Sequence, residues 1–175
     1  VTRKYYTGIG ARATPTKIRA YMIRIARHLE SRGYTLRSGG AYGADSAFEF
    51  GVTNHINKHI YLPWEGFNGN QSPFFEPQDW AYKLAEKYHP NWYSLKRGVK
   101  ALMARNMHQI VGLANKTHSK AVICWTRDGL DSGGTGQALR FARDLGIPIF
   151  NLHDKKVLIK MLNKYGIDLR NRRKL

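Results

Sequence analysis

One cysteine, six prolines and twelve acidic side chains are what this 175-residue chain has least of. Cys124 alone cannot close an internal disulfide, and its place in Ala121-Val122-Ile123-Cys124-Trp125 predicts a buried small hydrophobe. No apolar run approaches the roughly 20 residues that a membrane span requires, and the polar, basic start does not have the shape of a signal peptide. A reducing cytoplasm is therefore the expected setting. No metal site is expected: His55 and His59 stand four apart, but the helix should end between them and no His-Glu-x-x-His segment occurs. Nor does the sequence alone support a Ser-His-Asp arrangement.

The scarcity of acid stands against 29 Lys and Arg, for a formal net charge of +17. Such an excess favours a polyanionic partner, nucleic acid before an anionic membrane, although a basic surface without a specific partner would read the same way. With 42% hydrophobic residues and 17 Gly, the chain fits one compact domain with a sizeable core.

Strand and helix signals alternate along the chain. Lys4 to Ile9 reads as a strand, followed by a helix with Thr14 as cap and Pro15 at its first position. Ile18, Tyr21, Met22, Ile25, Ala26 and Leu29 form the helix's apolar face, and Gly33 ends it. A second strand, Thr35 to Ser38, leads into a helix expected to reach about Asn57, and a third strand covers His59 to Leu62. The stretch from about 64 to 92 reads as an insertion: a long loop without periodicity to about Pro77, then a helix from Asp79 to Tyr88. Further expected elements are a helix from Ser94 to about Ala114, a strand from Lys120 to Trp125, a helix from Thr135 to Leu145, a strand from Ile147 to Phe150 and a helix from Lys155 to Lys164. Residues 1–168 would make one domain and 169–175 a basic tail. The alternation predicts an α/β, Rossmann-like, doubly wound and mostly parallel sheet of about five or more strands.

In that architecture ligands bind beyond the carboxyl ends of the strands. Three glycine-bearing segments follow strands directly: Gly8-Ile9-Gly10-Ala11-Arg12, Ser38-Gly39-Gly40-Ala41-Tyr42-Gly43-Ala44-Asp45, and Ser132-Gly133-Gly134-Thr135-Gly136-Gln137. Each alone reads as an ordinary turn. Together they predict one phosphate-binding rim, because glycines let backbone N–H groups approach an anion and helix N-termini add unpaired donors. The first lacks the third glycine of a dinucleotide fingerprint, so no NAD or other cofactor is implied. Arg12 is placed to reach a phosphate. Asp45 would complement its helix dipole or serve as an acid/base, with Glu49 one turn on. Arg105-Asn106 lies in mid-helix, facing either the rim or solvent. Thr135 and Gln137 either contact a ligand or cap their helix. Trp64, Phe67, Phe74, Phe75 and Trp92 are candidate stacking surfaces for bases.

The chain resembles the DprA/Smf group of DNA-processing proteins, within the wider superfamily (SLOG) that includes the Lonely Guy (LOG) enzymes. Gly10-Ala11-Arg12 occupies the place of a Gly-Ser/Thr-Arg turn; Ser38 to Gly51 matches the Ser-Gly-x-Ala-x-Gly-x-Asp segment at Gly39, Ala41, Gly43, Asp45 and Gly51. Arg105-Asn106 is similar to an Arg-Asn-Arg segment that opens a helix, with Met107 in place of the second arginine. The resemblance implies single-stranded DNA or nucleotide binding by Arg12 and, more remotely, Arg105. It also resembles stand-alone small proteins of phages and mobile elements, which implies the cytoplasm of a bacterium or an infected host. Related folds often dimerise through helix faces, so a homodimer is among the expectations. Arg140 stands where LOG enzymes carry the glutamate that serves cleavage of the base–ribose bond. Three functions are thereby left: binding of single-stranded nucleic acid, N-glycosidase action on nucleoside monophosphates by Asp45 or Glu49, and sequestration of a signalling nucleotide. The missing glutamate favours binding over catalysis.

Overall fold

A computed structural model describes residues 2–168; the basic tail expected at 169–175 lies outside the described residues. The sheet is wholly parallel and has five strands in the order β3-β2-β1-β4-β5. These are β1 (Lys4–Gly10), β2 (Tyr34–Ser38), β3 (Lys58–Ile60), β4 (Val122–Trp125) and β5 (Ile149–Asn151). Six helices cover it: α1 (Thr16–Ser31), α2 (Ala44–Gly51), α3 (Asp79–Lys87), α4 (Arg97–Val111), α5 (Gly133–Asp144) and α6 (Lys155–Lys164). The expected fold class is the one observed, with the strand count at its lower bound.

Two apolar layers flank the sheet. Met22, Ile25 and Leu29 of α1, Phe48 of α2 and Leu158, Met161 and Leu162 of α6 share one core with Tyr6 and Leu36. Ala104, Met107 and Ile110 of α4 meet Leu139 and Phe141 of α5 in the other, with Ile9, Val122 and Cys124. β4 is a continuous apolar run and β1 is buried from Tyr6 to Ile9, as central parallel strands covered on both faces require. Cys124 is fully buried and free, as its neighbours predict.

Several boundaries move, and the reasons are local. Pro15 is the residue before α1, not its first; the Thr14 hydroxyl donates to Ala11 O (2.6 Å) and closes the preceding turn instead of capping. α2 stops at Gly51, six residues short of Asn57. Glu30 of α1 draws the chain out of the helix by accepting from Thr53 N, Asn54 N and Asn57 Nδ2 at 2.9, 2.9 and 3.1 Å. β3 ends at Ile60, and Tyr61 instead bridges Phe74 in the insertion. α4 begins at Arg97 because Trp92–Ser94 forms a separate 3-10 turn. α5 starts two residues earlier than expected, at Gly133, which puts the glycine pair inside its first turn.

The strand order reverses between β1 and β4. That pair is in register from Thr7↔Val122 to Gly10↔Trp125, and Ala11 N continues it to Trp125 O (3.0 Å). The crevice for a ligand belongs at their carboxyl ends.

Candidate nucleic-acid interface

A cleft of about 550 Å³ opens at that switch point. Four segments line it: Gly10 to Ala13 after β1, Ala41 and Asp45 after β2, Thr126 and Arg127 after β4 with Ser132 to Thr135 opening α5, and Leu102 to Gln109 of α4. The structure thus gathers Gly10, Ala11, Arg12, Ala41, Asp45, Arg105, Asn106, Gly133, Gly134 and Thr135 around one space.

The floor is Asp45. Its Oδ1 accepts from Gly10 N (3.3 Å) and its Oδ2 from Ala41 N (3.4 Å), so the carboxylate holds two strand-end loops together. Backbone donors expected to face an external anion are spent on an internal one. Burial pushes the Asp45 carboxyl up to about 6, against the opposing pull of the Arg105 guanidinium and the amides of Ala41, Gly10 and Gly39. Gly43 allows this closure: at φ 85° its Cα presses on the backbone of Ala11 and Arg12, where a Cβ would meet Arg12 O at 2.5 Å.

α4 supplies the polar wall. Arg105 is buried and donates to Gly39 O, to Leu102 O (3.2 Å) and to Asn106 Oδ1 (3.1 Å). Burial lowers its pKa from the arginine range, with Asp45 opposing the shift. Asn106 Nδ2 reaches across to Gly134 O (3.0 Å) and Gln137 Oε1 (3.2 Å), tying α4 to the start of α5. Gln109 Nε2, fully buried in the cleft wall, has no hydrogen-bond partner among the described residues. At the mouth, Arg12 and Arg127 are exposed cations.

Other expected residues stand behind this surface or away from it. Ser38 Oγ donates to Gly8 O (2.6 Å), and Gly8 packs under the Phe48 ring, so both brace the strands rather than line the cleft. Gly39 and Gly40 back the loop against α4 and Leu62. Gln137 is buried, donating to Ala85 O (3.0 Å). Glu49 turns to Asn70 Nδ2 (3.0 Å to each oxygen) and lines a separate depression beside β3. Arg140, at the position of the LOG glutamate, donates to Tyr88 O and Asp131 O and lies outside the cleft. Among the aromatic candidates, Phe67 and Trp92 are buried; Trp64 and Phe75 are exposed. Phe67 instead carries the Arg105 guanidinium 5.7 Å from its ring centroid. Arg105-Asn106 sits in the middle of α4, as its place in the sequence predicts, and not at a helix start like the segment it resembles.

Sequence reasoning missed Arg127, Thr126, Met103 and Gln109. Arg127 had a usable signal, since it follows β4 as Arg12 follows β1. The other three needed the path of α4 past the switch point.

No protein-family model matches the chain, and none of the curated proteins compared with it does. Among solved structures, DNA processing protein A from Helicobacter pylori, a protein with a single-stranded DNA binding mode, superposes with a TM-score of 0.58. The alignment covers 94% of this chain and 80% of that one at 17% identity. Likeness at that identity is a likeness of fold: this chain, a parallel sheet flanked by helices, has a Rossmann-like, DprA-like fold.

Proposed function

We propose that the protein binds single-stranded nucleic acid at the cleft between β1 and β4, with Arg12 and Arg127 taking backbone phosphates at its mouth. The observation that carries this reading is the charge pattern of the cleft. Its lining holds three arginines and one carboxylate, and that carboxylate is engaged by backbone amides. The free N–H groups of the first turn of α5, at Gly133 to Thr135, add donors and a favourable dipole for a phosphate. The fold shared with a single-stranded DNA-binding protein supports the same partner.

Glycosidic cleavage is the weaker reading. Two carboxylates usually share such chemistry, whereas Glu49 faces a different depression and Arg140 replaces the expected glutamate. A mononucleotide in place of a strand keeps the same contacts, and a cleft of about 550 Å³ is large enough for one. A bacterial or infected-cell cytoplasm fits either ligand.

Fluorescence anisotropy with a labelled oligothymidylate tests the proposal. Arg12→Ala is expected to weaken binding about tenfold and to lower the slope of log K against log salt by about 0.7, the loss of one single-strand phosphate contact. Affinity no greater than that of an unrelated basic protein of equal charge would end the reading. Release of free base from a nucleoside monophosphate would move it to the glycosidase.

A further inference from the structure

Much of the positive charge lies far from the cleft. α1 leaves the rim just after Arg12 and, with 16 residues, descends about 24 Å toward the amino ends of the strands. α6 shares its core layer, and the chain just after α6 lies against it: Arg24 Nη1 donates to Asp168 O (2.7 Å), and His28 stacks on Tyr165 with ring centroids 4.5 Å apart. Lys17, seven residues before Arg24, shares that side of the helix. The two helices and their flanking cap residues hold nine Lys and Arg against two carboxylates, Glu30 and Asp154. Glu30 points to the far side of α1, where it holds Thr53 and Asn54, and Asp154 caps α6 through Lys156 N.

The seam ends in a recess of about 460 Å³. Arg32, Lys164, His28 and the rings of Tyr34 and Tyr165 line it, and among the described residues no carboxylate does. Cations interleaved with aromatic rings suit a nucleic-acid strand, whose phosphates and bases alternate. Insertion into an anionic membrane fits less well, because it requires an apolar face, and attachment by charge alone would leave the rings unused. The one large exposed hydrophobic residue of α6 is Ile159, and α1 has none.

We propose that the α1–α6 seam is a second phosphate-tracking surface, along which a strand leaving the cleft at Arg12 continues to the recess of Arg32, Tyr34 and Lys164. The continuity with Arg12 rests on the cleft reading above; the seam's own affinity for a strand does not.

The test is anisotropy titration across a salt series with oligothymidylates of about 6 and about 30 nucleotides, one short enough for a single site and one able to span both. The double variant Arg32→Glu/Lys164→Glu should bind the short oligomer like the wild type, which also reports an intact fold. It should bind the long one at least tenfold more weakly, with a salt slope lower by about 1.4 for two lost phosphates. The pair Arg32→Gln/Lys164→Gln should reproduce the slope change. Unchanged affinity and slope for the long oligomer would overturn the seam, as would a loss confined to phosphatidylserine vesicles. Arg12→Ala separates the two readings. If it weakens binding about tenfold at both lengths while the seam variants do nothing, the cleft stands and the seam falls. If only the seam variants weaken binding, the cleft falls and the seam stands. A wild type that binds neither length sinks both.

Discussion

Arg105, from the helix layer on one face of the sheet, donates through Nη1 to the carbonyl oxygen of Gly39, on the loop that leads to the opposite layer. The contact crosses the carboxyl end of the sheet and sets the depth of the cleft. It is possible because nothing projects from the Gly39 Cα: a Cβ there would overlap Arg105 Nη1 and Gln109 Nε2.

Two glycine substitutions in this loop should therefore differ in kind. In Gly39→Ala the methyl meets the tips of two side chains, which can shift at a cost of about 1–3 kcal/mol of overpacking. In Gly43→Ala it meets the carbonyl oxygens of Arg12 and Ala11 at 2.5 and 2.6 Å, at φ 85°. Backbone cannot step aside as a side chain can. Urea unfolding should place Gly43→Ala clearly below Gly39→Ala, whereas Gly39→Ala should lose more oligonucleotide affinity than stability. The reverse order of stability would mean that α4, not the loop, is the rigid partner.

The buried carboxyl of Asp45 gives the cleft a pH dependence of definite sign. Its pKa rises from 3.8 to about 6 on folding, so the folded protein holds the proton more tightly than the unfolded chain. This group's contribution to stability is therefore greatest below about pH 4, declines as pH rises toward 6, and is flat above. Protonation also removes the cleft's negative charge, so affinity for an anionic strand should rise as pH falls through 6. Asp45→Asn cannot titrate. Measured as wild type minus Asp45→Asn, both urea midpoint and oligonucleotide affinity should change between pH 4 and 6, and neither between pH 7 and 8. A difference that is level across the whole range would place the Asp45 pKa near its ordinary value.

The parts of this site legible in the sequence are those whose chemistry is local. Gly10, Gly43 and Gly133 mark strand ends and helix starts through backbone demands that a few adjacent residues reveal. Arg12 is legible as a rim cation because β1 ends just before it. Glu49 was not separable from Asp45 by helical spacing; what pulls it aside is Asn70, 21 residues away in an aperiodic insertion. Likewise, nothing near Gly51 predicts that α2 ends there, since Glu30 of another helix decides it. Phe67 and Trp92 look like free aromatic surfaces until the insertion folds them inward.

Arg37 provides the contrast that separates a fold-supporting cation from a ligand-binding one. It is buried on β2, with Nη1 donating to Thr117 O (2.5 Å), Ile110 O (3.3 Å) and Ser119 Oγ (3.4 Å). Its guanidinium lies 3.8 Å from the Tyr5 ring centroid. It binds the last turn of α4 and the chain that returns to β4, where a cation also complements the helix dipole. Arg37→Met keeps most of the volume and removes a desolvated charge, but it takes away the donor to Thr117 O, while Ile110 O still accepts from Ser119 N (2.9 Å). The expected cost is about 1–3 kcal/mol, with loss of amide protection concentrated at the end of α4 in hydrogen exchange. Oligonucleotide affinity should stay near that of the wild type, because Arg105 is held by Gly39 O and Leu102 O rather than from the helix end. A variant that keeps its urea midpoint yet loses binding would instead assign Arg37 to a ligand surface, and the charge of the chain would then have to be apportioned anew.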